Sequence, residues 1–161
     1  MSNPHELFQL FVEISVALLG FTGVVAAFGG RSREFTELEQ ARLLSVFSSG
    51  VPILVCSLSA LIGLEAQLSI KDVVRIVGIV GLIIGFAFSL VLLRSATRYV
   101  GDENASTDRF DYALAIFGTI LVYTSLFGSI FFMELWMLLL AFSSYLLSGL
   151  WVFFRLLTRL N

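Results

Sequence analysis

The sequence contains few charged residues and almost no residues that bind metals or form disulfides. Only 14% of its 161 residues are charged, and 58% are hydrophobic, whereas soluble domains carry about 25% charged residues. Cys56 is the only cysteine and His5 the only histidine, so an intrachain disulfide is excluded and no metal-ligand cluster is present. We therefore expect a membrane protein that is not an enzyme, with no cofactor, no metal and no nucleic-acid partner.

Long apolar stretches fill most of the chain and predict membrane-spanning helices in a single all-α domain. About 18–20 apolar residues cross the hydrocarbon core as a helix. The last apolar run, from Tyr112 to Leu157, would be roughly 70 Å long as one helix, more than twice the core thickness. Glu134 interrupts this run, so we place a turn there although no Gly or Pro is present. The predicted spans are about 7–29, 43–64, 73–93, 112–130 and 136–154, and four spans are the minor alternative.

The distribution of basic residues favours five spans with the N-terminus outside and the C-terminus inside. Loops on the cytoplasmic side of a membrane protein carry an excess of Lys and Arg. In the five-span arrangement only Lys71 and Arg75 lie outside. The basic residues inside are Arg31, Arg33, Arg42, Arg94, Arg98, Arg109, Arg155 and Arg159. With four spans Arg155 and Arg159 move outside, and the asymmetry weakens.

Two spans carry small residues on one helical face, which predicts close helix packing. Membrane helices associate through small residues that let backbones approach, because lipid is as apolar as the helix surface. The first span has Gly20 and Gly23 on such a face. In the third span the small residues are Gly78, Gly81, Gly85 and Ser89. Packing within one chain is the favoured interpretation over a subunit interface.

The second span carries a polar but uncharged stripe that includes Ser45, Ser49, Pro52 and Ser59. Proline lacks an amide hydrogen and its ring displaces the carbonyl four residues earlier, so we expect a freed acceptor near mid-membrane. One hypothesis is that the stripe lines a water or ion pathway. The favoured alternative is that the hydroxyls bond to carbonyls of their own helix or to a neighbouring helix.

Glu13 is an acid inside the first apolar run, about two turns from its start. Gln9 lies one turn before it, and Ala17 and Gly20 continue the same face, so we expect this face to point into the bundle. A charge within the membrane pairs with another or lines a watery cavity, because an isolated one costs at least about 2.5–3.5 kcal/mol. Arg75, at the start of the third span, is the predicted partner.

Two functions are compatible with these patterns. The first is a small homo-oligomeric channel or pore-like protein for protons or monovalent cations, with Glu13 in its outer vestibule. The second is a non-conducting accessory or structural protein that binds another membrane protein through its small-residue faces. For both functions the protein is embedded in the lipid bilayer, and a bacterial inner membrane is the expected location.

Overall fold

The computed structural model describes residues 3–32, 37–99 and 109–160, and these form five helices. The helices are α1 (Pro4–Ser32), α2 (Glu37–Glu65), α3 (Ile70–Tyr99), α4 (Arg109–Phe132) and α5 (Leu135–Leu160). The predicted all-α class is therefore confirmed, and each predicted span lies within one helix.

Four of these helices are long and apolar enough to cross a membrane. The apolar segments are Pro4–Phe28, Arg42–Glu65, Ile70–Val91 and Leu135–Arg155. Among the described side chains of α4, the apolar segment is Ile116–Phe132. These helices are those of a multi-pass membrane protein. The count of five spans and the N-terminus-outside orientation stay predictions.

Helices α1 and α3 begin at side-chain caps. Asn3 accepts a hydrogen bond at its Oδ1 from the His5 amide, at 3.2 Å, and Pro4 occupies the first helical position, where its missing N–H is not needed. Ser69 Oγ accepts from the Asp72 amide at 3.3 Å and donates to the Asp72 carboxylate at 2.6 Å. Both caps lie at the same end of the bundle, where α2 ends.

The connection between α4 and α5 is only two residues long, Met133 and Glu134. Met133 has a φ of 54°, in the left-handed region that glycine usually occupies. Its amide donates to the Ser129 carbonyl at 3.0 Å and so closes the end of α4. The turn predicted at Glu134 is therefore present, and a left-handed methionine supplies the conformation for which the sequence has no glycine.

Helices α2, α3, α4 and α5 form a closed group in which each contacts the next and α5 returns to α2. Helix α1 lies outside this group, against α2 and to a smaller extent α5. At one end of α1, Phe8 and Phe11 pack edge-on against Phe142 of α5. In the described residues α1 contacts neither α3 nor α4. It therefore has one buried face and a broad exposed one.

Gly78 of α3 lies at a close contact between α3 and α4. A methyl group at its Cα would lie 2.5 Å from Ser129 Oγ and 2.9 Å from Ile130 Cγ1. The Ser129 hydroxyl is itself held by a 2.7 Å bond to the Leu126 carbonyl. The two helices have no room for a larger residue at this position.

We predict that Gly78→Ala lowers the free energy of unfolding by about 1–3 kcal/mol, because the methyl group overpacks the contact with α4. Gly20→Ala is the matched control, since no atom lies within 4 Å of the added methyl group there, and its effect should stay within about 0.5 kcal/mol. Unfolding of the monomer in mixed micelles measures both. Equal effects would contradict the α3–α4 contact.

Candidate functional site

The acid within α1 lies on the exposed side of that helix. Glu13 and Gln9 are both exposed, and Gln9 Nε2 donates to Glu13 Oε1 at 3.1 Å. The expectation that this face points into the bundle is wrong. The reason is that α1 packs outside the four-helix group and buries its other side, where Phe8, Ser15 and Thr22 are fully covered.

The exposed side of α1 carries a continuous stripe of mostly polar and small residues, which we call the outward seam. Its residues are Glu6, Gln9, Glu13, Ala17, Gly20, Val24 and Ala27, all exposed. They recur every three or four residues, with Glu6, Glu13, Gly20 and Ala27 seven apart, the repeat by which one helix faces another along its length. The seam therefore has the spacing of a helix contact surface.

Nothing in the described chain fills the space at the seam. A methyl group at Gly20 or at neighbouring Gly23 would meet no atom within 4 Å. Beside the seam, Phe21 and Phe28 are each 66% exposed, as expected for side chains that meet acyl chains. A strip of small and polar residues beside such rings is typical of a surface that contacts protein or water.

The structure does not bring Glu13 and Arg75 together within one chain. Arg75 is exposed on α3, and α1 and α3 do not contact each other in the described residues. His5 Nε2 of α1 instead lies 3.3 Å from Glu65 Oε1 of α2. No ion-pair partner of Arg75 is found among the described residues. The Glu13–Arg75 pair is thus not formed inside the protomer.

The polar stripe of α2 lies inside the helix group or beside it, and its hydroxyls bond to their own helix. Ser49 donates to the Ser45 carbonyl at 3.0 Å and Ser59 to the Val55 carbonyl at 2.8 Å. Pro52 and Ser49 are buried, and Ser45 and Ser59 are half-buried. Ser49 and Ser59 thus follow the alternative prediction, in which a serine hydroxyl donates to a carbonyl of its own helix.

The small residues of α3 face the other helices of the group. Gly81 lies against Leu126 and Cys56, and Gly85 lies beside the hydroxyls of Tyr145 and Tyr123. Further along the same face, Ser89 Oγ and the Tyr123 hydroxyl share a 2.8 Å hydrogen bond. Together with Gly78, these residues pack within the chain, in contrast to Gly20 and Gly23 of α1.

The chain matches no protein-family model, no curated protein and no solved structure. Its function is therefore inferred from its own side chains.

Two other features of the described residues have less chemical content. An open groove of about 340 Å³ lies between α3 and α4 and is lined by Leu82, Tyr123, Thr124 and Phe127; its walls are mostly apolar. No group of three His, Cys, Asp or Glu side chains in the described ranges is arranged to hold a metal ion. The outward seam is the surface with the most distinctive chemistry.

Sequence reasoning missed the extent of this seam. It placed Gln9, Glu13, Ala17 and Gly20 on this face but not Glu6 or Val24. The signal was present in the sequence, because the four residues at seven-residue intervals, Glu6, Glu13, Gly20 and Ala27, are all polar or small.

We predict that Glu13→Gln and Arg75→Gln act independently on the stability of the isolated monomer. The two side chains lie on helices that do not touch, so the double change should equal the sum of the single ones within about 0.5 kcal/mol. Unfolding at high dilution in detergent, where copies are separated, measures the three variants. A coupling above about 1 kcal/mol would mean that the pair forms inside one chain.

Proposed function

We propose that this chain is a non-catalytic assembly or accessory protein of the bacterial inner membrane, which acts by binding another transmembrane helix through the outward seam of α1. The observation that carries the proposal is the position of the Gln9–Glu13 hydrogen bond, on the side of α1 that faces away from the four-helix group. With five spans and the N-terminus outside, Glu13 lies in the outer half of the bilayer.

Glu13 is exposed on the seam, where its surroundings within the protomer satisfy its carboxylate only in part. An ionised side chain within the membrane costs at least about 2.5–3.5 kcal/mol when it has no partner. The Gln9 amide provides one donor, but a carboxylate has about four acceptor sites. A second helix that brings further donors or a cation would lower the free energy of this face, so the exposed carboxylate favours association.

The small residues of the seam also favour association with a second helix. In lipid, helix association depends on van der Waals contact and interhelical hydrogen bonds, and small residues permit both by allowing close approach. Ala17, Gly20 and Ala27 leave the backbone of α1 accessible on the side of Glu13. The corresponding glycines of α3 are already covered within the chain, which leaves α1 as the helix available for a partner.

We predict that Gly20→Phe disrupts the native complex of this protein, because a ring at this position holds a second helix away from the seam. The complex should be extracted directly from the membrane into lipid nanodiscs, and its mass compared between variants. Ile62→Phe is the matched control, since Ile62 of α2 is 70% exposed and lies away from the seam.

The expected result is a complex larger than one chain for the unaltered protein and for Ile62→Phe, and a single chain for Gly20→Phe. An unaltered protein that occurs as a single chain would contradict the proposal. So would a Gly20→Phe complex of unchanged mass.

A pore-like protein for protons or monovalent cations is a second candidate function. It is favoured by the series of oxygen-bearing side chains, Glu6, Gln9 and Glu13, along one exposed face at the same end of α1. Copies arranged around an axis with this face inward would form an acidic vestibule that attracts cations. The α2 serines support this candidate less, because the Ser49 and Ser59 hydroxyls are bonded to their own backbone.

We predict from this second candidate that Glu13→Gln lowers cation or proton flux into liposomes at least about tenfold. Glu134→Gln is the matched control, because it removes an exposed acid in the α4–α5 connection that is not part of the seam. Flux is read with a pH-sensitive dye and with a potassium gradient. Assembled protein that passes neither ion would exclude conduction and leave the assembly role in place.

A further inference from the structure

Two basic side chains near the start of α3 face outward, as the acids Glu6 and Glu13 of α1 do. Lys71 and Arg75 are exposed, and neither forms an ion pair with a described residue. Ile79 and Phe86 continue the same side of the helix, with 43% and 61% of their surfaces exposed. We call Lys71, Arg75, Ile79 and Phe86 the outer ridge of α3.

The outward seam and the outer ridge are complementary in charge and in size. The seam places the acids Glu6 and Glu13 before its small residues, and the ridge places Lys71 and Arg75 before its bulky ones. Opposite charges that face each other attract strongly in a medium of low dielectric constant. Bulky side chains fit where small ones leave space.

The contacts of α2 place the two surfaces at the same depth. The His5–Glu65 pair and the Leu19–Gly50 contact put Glu13 level with about Cys56 of α2. Cys56 in turn lies between Val77, whose carbonyl accepts from its thiol at 3.9 Å, and Gly81, which it contacts. Glu13 is therefore level with about Ile79.

Arg75 lies about one helical turn from this level, roughly 6 Å toward the end where α1 and α3 begin. The carboxylate of Glu13 already reaches in that direction, because it bonds to Gln9 one turn earlier. Seven residues further along both helices, Gly20 is level with Phe86. Copies embedded in one bilayer share a common depth, so residues at equal levels on different copies are able to meet.

Two alternative uses of the seam fit less well. A two-fold contact between two α1 helices would place the Glu13 carboxylates of both copies together, and like charges repel. Contact of α1 with its own α3 is excluded in the described residues because the two helices do not touch. A contact between α1 of one copy and α3 of another uses different surfaces and closes into a ring when the rotation permits.

We propose that the partner of the outward seam is a second copy of this chain, whose outer ridge of α3 packs along it with Arg75 facing Glu13. This inference rests on the proposed binding of a helix by α1 and names the partner. The interface is heterologous: each copy contributes its seam to one neighbour and its ridge to the other.

Disulfide trapping between copies tests the register. In a Cys56→Ala background, one tagged copy carries Gly20→Cys and a differently tagged copy carries Phe86→Cys. A disulfide needs Cα atoms within about 7 Å, so this pair should cross-link on oxidation with at least about tenfold higher yield than Gly20→Cys with Ile79→Cys, which differ in depth by about two turns. Cross-linking of two Gly20→Cys copies to each other would overturn the proposal.

Charge reversal tests the ion pair without relying on a single variant. Glu13→Lys and Arg75→Glu should each weaken association at least about tenfold, and the chain with both changes should recover most of it. Association is measured by energy transfer between labelled copies in liposomes at varied protein-to-lipid ratio. Recovery supports the pair, and a double variant as weak as the single ones overturns it.

The outcomes separate this inference from the proposed function. If Glu13→Lys and Gly20→Phe abolish the native complex but Arg75→Glu does not, α1 binds a different helix, and the second-copy partner is wrong while the proposed function stands. If none of the three changes the complex, both are wrong.

Discussion

The absence of water in the hydrocarbon core is the constraint on which the whole structure depends. Backbone groups must be hydrogen-bonded within each segment, which leaves helices as the form of every described element. The same constraint acts on buried hydroxyls: Ser15, Thr22 and Ser144 each donate to the carbonyl four residues earlier. These neutral groups are satisfied locally. A carboxylate has more acceptor sites than one neighbour provides, so the environment of Glu13 is incomplete in the protomer.

The arrangement of the helices assigns different tasks to α1 and to the other four. The closed group of α2 to α5 covers its own small residues, so Gly78, Gly81 and Gly85 are used for stability. Helix α1 adds one buried face, which includes Phe8, and leaves the rest of its surface available. In a membrane protein built in this way, the four-helix group provides the stability. Residues on the exposed surface of α1 are able to change without loss of the core.

The fold was more predictable from the sequence than the site was. The lengths of the apolar runs and the interruption at Glu134 are local properties of the sequence, so they predicted the positions of the helices and of the short turn. The left-handed conformation of Met133 has no sequence signature. The prediction that the Glu13 face of α1 points into the bundle was wrong, because hydropathy distinguishes buried from exposed helix faces only in water. In lipid both are apolar, and the small residues of α1 and α3 look alike. Which stripe is covered depends on how α1 packs against α2, a tertiary property that the helical repeat does not contain.

The two-residue connection between α4 and α5 also limits how the chain enters the bilayer. In the five-span arrangement, Met133 and Glu134 leave no length of chain to cross the membrane between α4 and α5, so these helices would be inserted as one hairpin rather than one after the other. The start of α4 and the end of α5 would then emerge on the same side whichever way the hairpin faces. The positions of Arg109 and Arg155 would share that side, and retaining these charges on the side of synthesis would orient the last third of the chain independently of α1.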